Sequence, residues 1–337
     1  MAPKKLTPSE AQAISHTAVL NGTKYRYLLG APQGPPKGTI FLVHGWPDLA
    51  FGWRYQIPLL TSLGLRVVVP DMTGYGETDA PKVPPHDVGL YSFKKASDDL
   101  AALAKQLGCG RIILGGHDWG GMVVYRFAQW YPELVTHVFS VCTPYVAPSP
   151  KYFSSEDLAN GPVPQFGYQV QLASGEVVEA AVQTRDDIEQ FLNGVYGGKV
   201  PEGKVFMTPN KGVDLSLLGK VERSRLVEDE EMKYVVDQYS RNGIHGPLNW
   251  YRTRKVNFED ELKLQKGKLE HPVLFIIANK DNILTKELSA GMERSVPNMI
   301  RREVTAGHWA LWQASQDVND HIKEWLETVV FGGKSSL

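Results

Sequence analysis

Three side chains able to form bonds to carbon or move protons, Asp118, Asp281 and His308, recur at equivalent places in the chain. Each follows a stretch that reads as a strand: Ile112 to Leu114, Val273 to Ala278, and Ile300 to Val304. A carboxylate with an ordinary pKa of about 3.9 is anionic at neutral pH and can displace a leaving group at saturated carbon, leaving an ester on the protein. A histidine oriented by a second carboxylate can then activate water against that ester. The intermediate needs oxyanion donors, and the backbone N–H groups of Trp119 and of Trp46, in the loop His44-Gly45-Trp46-Pro47, are suited to supply them. Pro47 has no N–H and a fixed φ, which suits it to hold the preceding amide in place.

The stretch Gly115-Gly116-His117-Asp118-Trp119-Gly120-Gly121 must position the first carboxylate. A strand turning sharply into a helix brings backbone segments too close for side chains, and glycines at 116, 120 and 121 meet that need. Asp118 would be thrust out at the carboxyl edge of a sheet, beside the positive end of the following helix. A phosphate-binding loop would require Lys and Ser or Thr where Gly121 and Met122 stand, and GxGxxG is not met. A tight turn with a solvated Asp stays open from this stretch alone. No GxSxG occurs, so a serine esterase has no nucleophile to use.

The elements around these residues alternate. Thr17–Leu20 and Lys24–Leu29 read as a hairpin about Asn21-Gly22. Thr39–His44, Leu65–Pro70, Arg111–Gly116 and Leu134–Cys142 read as buried strands, and Ser92–Leu107 as an amphipathic helix ended by Gly108. The order Asp118, Asp281, His308 is that of nucleophile, acid and base in α/β-hydrolases. The expected fold is therefore α/β, an α/β-hydrolase fold with a doubly wound, mostly parallel sheet and an inserted helical cap. The core is expected over 1–144 and 259–337 and the cap over 145–258, with helices such as Asp186–Tyr196 and Asp229–Ser240. The sheet pattern resumes at Val273, and a helix over about Ser315–Val330 closes the chain.

The bulk composition excludes more than it selects. At 337 residues, 42% hydrophobic and 22% charged, the chain is ordinary globular sequence. A net charge of -1 gives no reason to expect nucleic acid or an anionic membrane as partner. Two cysteines, Cys109 and Cys142, lie outside any CxxC spacing, which suits free thiols in a reducing compartment. No export signal or membrane-length apolar run is evident, so a cytoplasmic protein is expected. The ending Ser335-Ser336-Leu337 lacks the basic residue of the peroxisomal tripeptide, which argues against import there. No cofactor and no metal cluster are read from the sequence. His44 and His117 read as local structural donors.

Taken together, the motifs resemble those of the soluble epoxide hydrolases of the α/β-hydrolase superfamily, over nearly the whole chain. The HGxP loop corresponds to His44–Pro47, GHDWGG to Gly116–Gly121, and GHW to Gly307–Trp309. The family's two cap motifs are matched by Phe166-Gly167-Tyr168-Gln169 and by Asn249-Trp250-Tyr251-Arg252. The resemblance implies that Tyr168 and Tyr251 hydrogen-bond the epoxide oxygen and give it a proton. A phenol with pKa near 10 is protonated at neutral pH and can do so. The rivals are a haloalkane or haloacid dehalogenase using the same aspartate and a non-catalytic ligand receptor on the same fold. A departing halide has no need of paired phenols. Trp119 fits either enzyme, because a halide donor would stand there too. Phe51, Trp119, Phe166 and Trp309 are the aromatic residues expected to line a small apolar epoxide site, with water as second reactant.

Overall fold

A computed structural model describes residues 3–264 and 267–332; the tail Ser335–Leu337 lies outside the described residues. The chain divides into two compact units, Met1–Met72 with Ala96–Pro148 and Leu264–Leu337, and Thr73–Lys95 with Ser149–Lys263.

The first unit is built on an eight-stranded sheet. Its early strands are β1 (Ser15–Leu20), β2 (Thr23–Gly30), β3 (Gly38–Val43), β4 (Leu65–Pro70), β5 (Ile112–His117) and β6 (Val135–Val141). The second unit contributes a separate two-stranded ladder, β7 (Met207–Thr208) and β8 (Gly212–Val213), and the sheet is completed by β9 (Val273–Ala278) and β10 (Met299–Val304). The order across the sheet is β1-β2-β4-β3-β5-β6-β9-β10. β2 runs antiparallel to β1 and β4, and the remaining neighbours are parallel. Asn21 and Gly22, both with positive φ, make the tight turn of the first hairpin. β5 and β9 are buried at every residue, as expected of strands covered on both faces. Helices over Phe93–Gln106, Trp119–Trp130 and Ser315–Trp325 supply crossovers and cover. The last passes into a π-type turn over Leu326–Val330.

The second unit is mostly helical, with helices including Gly167–Ser174, Arg185–Val195, Asp229–Tyr239 and His245–Arg252. Residues 73–95, read from sequence as core, group with this unit. The physical reason is a set of contacts to the helix His245–Arg252 and its successor. The Trp250 indole N–H donates to the Thr73 carbonyl at 3.0 Å, the Val83 N–H donates to the His245 ring at 3.0 Å, and the Phe93 N–H donates to Asn257 at 2.8 Å. Hydrophobic patterning carries no signal for such bonds, because they join positions more than 160 residues apart.

Candidate active site

β5 delivers the elbow. Asp118 follows its last residue with φ 53° and ψ -126°, a conformation that L-residues rarely adopt and that surrounding structure must enforce. The enforcement is visible on both sides of the turn. A Cβ on Gly116 would collide with the Gly120 carbonyl, and one on Gly120 would collide with the carbonyl of Val43, at the end of β3. The Asp118 carbonyl oxygen accepts from the Thr143 hydroxyl at 2.7 Å and from the Gly121 N–H at 2.9 Å, so the strained peptide is tied from the loop after β6 and from its own helix.

The two oxygens of the Asp118 carboxyl have different surroundings. Oδ1 accepts the Trp46 backbone N–H at 2.7 Å, while Oδ2 faces His308 Nε2 at 3.6 Å. The Trp119 N–H is a second backbone donor to this carboxyl. Both expected oxyanion donors therefore converge on the aspartate itself. Burial pushes the Asp118 carboxyl above the usual carboxylate range, against the opposing pull of His308 and the two amides. The Trp46–Pro47 bond is cis. His44 lies behind the loop, with Nδ1 donating to the Gly45 carbonyl at 2.8 Å and Nε2 accepting the Met72 N–H at 3.0 Å. It serves as a local donor in its neutral form, and its pKa is held down by burial.

The loops after β9 and β10 bring in the other two groups. Asp281 Oδ1 accepts the N–H groups of Ile283 at 2.9 Å and Leu284 at 3.0 Å, and Oδ2 accepts His308 Nδ1–H at 2.8 Å. Burial alone would raise the Asp281 pKa, but His308 and these amides outweigh it and hold the carboxyl down at about 2. Burial likewise opposes charge on His308, and the Asp281 carboxylate, aided by Asp118 and Asp48, overrides it and pushes the imidazole up to about 9. His117 donates from Nε2 to the His308 carbonyl at 2.9 Å, so the residue beside the elbow anchors the loop that carries the imidazole.

Of the expected lining aromatics, Trp309 stands edge-on to the His308 ring at 5.3 Å and stacks on Trp312 at 4.7 Å. Phe51 is buried in a 3₁₀ turn under the Arg54 guanidinium, and Trp119 opens the helix after the elbow. In the second unit, half-buried Phe166 ends the turn Pro164–Phe166, just before the helix Gly167–Ser174. The second residue of that helix, Tyr168, meets Tyr251 of the helix His245–Arg252 edge to face, with ring centroids 5.8 Å apart and planes at 79°. Both tyrosines are buried, and Gln169 donates to the Tyr168 hydroxyl at 3.3 Å.

Two features escaped the sequence reading. Asp48 follows Pro47 and is buried, with Oδ1 capping the Leu49 N–H at 2.7 Å and no hydrogen-bond partner for Oδ2 among the described residues. Burial, reinforced by Asp71 and Asp118, pushes it up to about 7. The available signal was a carboxylate inside the very loop that carries a backbone donor. The second feature is a grouping of His117, Cys142 and His308, whose ligand atoms lie within 4.8 Å of one another. Those positions are dispersed in sequence, so no metal spacing announces them. Both His308 nitrogens already face carboxylates, and burial pushes the Cys142 thiol well up, away from the thiolate a metal would need. The Cys142 thiol donates to the His308 carbonyl at 3.4 Å, and the grouping packs behind the imidazole.

A glycine-framed Asp elbow, with an acid and a histidine on later strand ends of a mostly parallel sheet, defines an α/β-hydrolase. In agreement, residues 38–187 match the family described as alpha/beta hydrolase fold. The chain is 40% identical to epoxide hydrolase srdG of Neurospora crassa, over 97% of this chain and 99% of that protein. It is 33% identical to bifunctional epoxide hydrolase 2 of Sus scrofa over 96% of its own length, which spans 57% of that longer protein. Among solved structures, epoxide hydrolase A from Mycobacterium thermoresistibile matches with a TM-score of 0.79 at 26% identity, covering 93% of this chain and 98% of the other. An epoxide hydrolase from Vigna radiata matches with a TM-score of 0.78 at 25% identity, covering 93% and 97%. The chain belongs to the epoxide hydrolase family.

Proposed function

We propose that the protein hydrolyses an epoxide to a vicinal diol through an ester on Asp118. The observation that carries this reading is the division of labour in the Asp118 carboxyl: Oδ1 is held by the Trp46 N–H at 2.7 Å while Oδ2 remains on the His308 side at 3.6 Å. Oδ2 attacks a ring carbon, the C–O bond of the epoxide breaks, and the ring oxygen takes a proton from Tyr168 or Tyr251. Protonated His308, with its pKa up at about 9, stabilises the attacking carboxylate in the free enzyme.

Ester formation removes the negative charge of Asp118, one of the charges that hold the imidazole up, so the imidazolium gives up its proton, which passes through solvent to restore the phenol, and neutral His308 is free to act as base. It takes a proton from water, and the hydroxide adds to the Asp118 carbonyl carbon. Negative charge develops on Oδ1, where the Trp46 amide already points, with the Trp119 amide donating to the same carboxyl. Collapse breaks the acyl–oxygen bond and His308 protonates the departing diol oxygen; the second water proton, left on the Asp118 carboxyl, returns to His308 and restores the ion pair of the free enzyme. Asp281 keeps its charge throughout and orients the ring through Nδ1, as expected of a carboxyl held down at about 2.

The test is isotopic. In a single turnover of styrene oxide in heavy-oxygen water, the diol carries ordinary oxygen and the label enters the Asp118 peptide. Label appearing directly in the diol would overturn the covalent route.

A further inference from the structure

The tyrosine pair stands on two helices of only eight residues each, Gly167–Ser174 and His245–Arg252. Isolated helices of that length are marginal in water, so their relative setting must come from tertiary bonds. One side chain supplies much of it. Arg252, next to Tyr251, donates from Nε to the Ala173 carbonyl at 2.9 Å, near the end of the helix that carries Tyr168. It donates from Nη1 to Asn249 Oδ1 at 2.6 Å and from Nη2 to Glu179 Oε1 at 2.7 Å. All three guanidinium nitrogens are used.

The site is built to receive that group. Gly175, with φ +69°, leads the chain from Ser174 into the next helix, and a Cβ there would occupy the place of Arg252 Nη2. Glu179 completes the brace: its other oxygen accepts His245 Nδ1–H at 2.9 Å. His245 and Arg252 are seven residues apart, two helical turns, so they share a face, and a long side chain near the helix end lies back toward the amino terminus. One carboxylate thereby grips both ends of the tyrosine-bearing helix. The carboxylate pays for burial through these bonds, which hold its pKa below the usual value despite desolvation. His245 Nε2 accepts the Val83 N–H at 3.0 Å, so the ring also ties this helix to the loop through Val83.

We infer that Arg252, locked by Glu179, is a positioning residue for epoxide opening, setting Tyr251 against Tyr168 while touching neither substrate nor reacting atoms. This rests on the reading of the two tyrosines as proton donors. The brace acts on ring opening and has no bond to the group that hydrolyses the ester, so it separates the two half-reactions.

The experiment compares wild type with Arg252→Gln, Arg252→Lys and Glu179→Gln, using styrene oxide in rapid-quench mass spectrometry of the Asp118 adduct. Adduct formation reports ring opening, and adduct decay reports ester hydrolysis. In Arg252→Gln, formation should slow by on the order of 10²-fold, the usual cost of displacing a catalytic group by about 1 Å, with decay unchanged within about twofold. Arg252→Lys should fail to rescue it, because an ammonium cannot reproduce the three-way fork. Glu179→Gln, which keeps shape and an acceptor oxygen, should slow formation by a smaller factor. Formation at the wild-type rate, or equal slowing of both steps, would overturn the inference. Loss of folding in Arg252→Gln would leave the decision to Glu179→Gln under the same two criteria. Tyr168→Phe and Tyr251→Phe keep the underlying reading separate. If these leave formation intact, the tyrosine reading fails; if they slow it and the Arg252 and Glu179 variants do not, only the brace fails.

Discussion

The two units hold their proposed functional groups by different means. In the first, Asp118, Asp281 and His308 sit on loops at the carboxyl ends of β5, β9 and β10, and backbone groups do most of the holding: the Trp46 and Trp119 amides, the Ile283 and Leu284 amides, and the His308 carbonyl gripped by His117. In the second, Tyr168 and Tyr251 stand on short helices joined by side chains, above all Arg252 and Glu179. A backbone-framed site tolerates no side chain at the elbow glycines, whereas a side-chain brace can be trimmed group by group. Changes in the first unit should therefore abolish turnover outright, and changes in the second should grade one step of it.

The sharpest break in this comparison is His308→Gln. Without the imidazole the ester has no base, so turnover should fall by on the order of 10³- to 10⁴-fold while a stable adduct accumulates on the Asp118 peptide, read by intact mass. Turnover without adduct would deny the two-step division. A smaller effect is expected in the second unit: Tyr168→Phe combined with Tyr251→Phe should slow adduct formation by on the order of 10²- to 10³-fold, and either single change by less, since one phenol remains. Decay of whatever ester forms should stay at the wild-type rate.

The smallest effect is on stability. Because the folded-state pKa of His308 is raised from 6.5 to about 9, its pairing with Asp281 stabilises the fold fully below 6.5, and that contribution is lost as pH rises through about 9. The difference in Tm between wild type and His308→Gln should therefore shrink by a few degrees across that window. A difference that is flat from 6.5 to 9 would show that the imidazole is not held in its charged form.

Much of the first unit was legible in the chain itself. The strands over Thr39–His44, Leu65–Pro70 and Val273–Ala278 are nearly continuous apolar runs, and burial on both faces favours such runs. The hairpin at Asn21-Gly22 follows from the positive φ its turn requires. Trp309 illustrates the limit: its type suggested a lining aromatic, and its stacking on Trp312 and edge-on contact with His308 are facts of packing. The regrouping of residues 73–95 was illegible for the same reason, since a Pro/Gly-rich loop carries no pattern that names its neighbour.

The order of Asp118, Asp281 and His308, the glycines around the elbow and the presence of Tyr168 and Tyr251 in their motifs are properties of the sequence alone, because local sterics and chain order express them directly. Only the tertiary structure decided which Asp118 oxygen meets the Trp46 amide, that Asp48 is buried with a pKa of about 7, and that Glu179 closes on Arg252 across 73 residues. Charge state and hydrogen-bond partnership depend on burial and on groups from distant segments, and those exist only once the chain has folded.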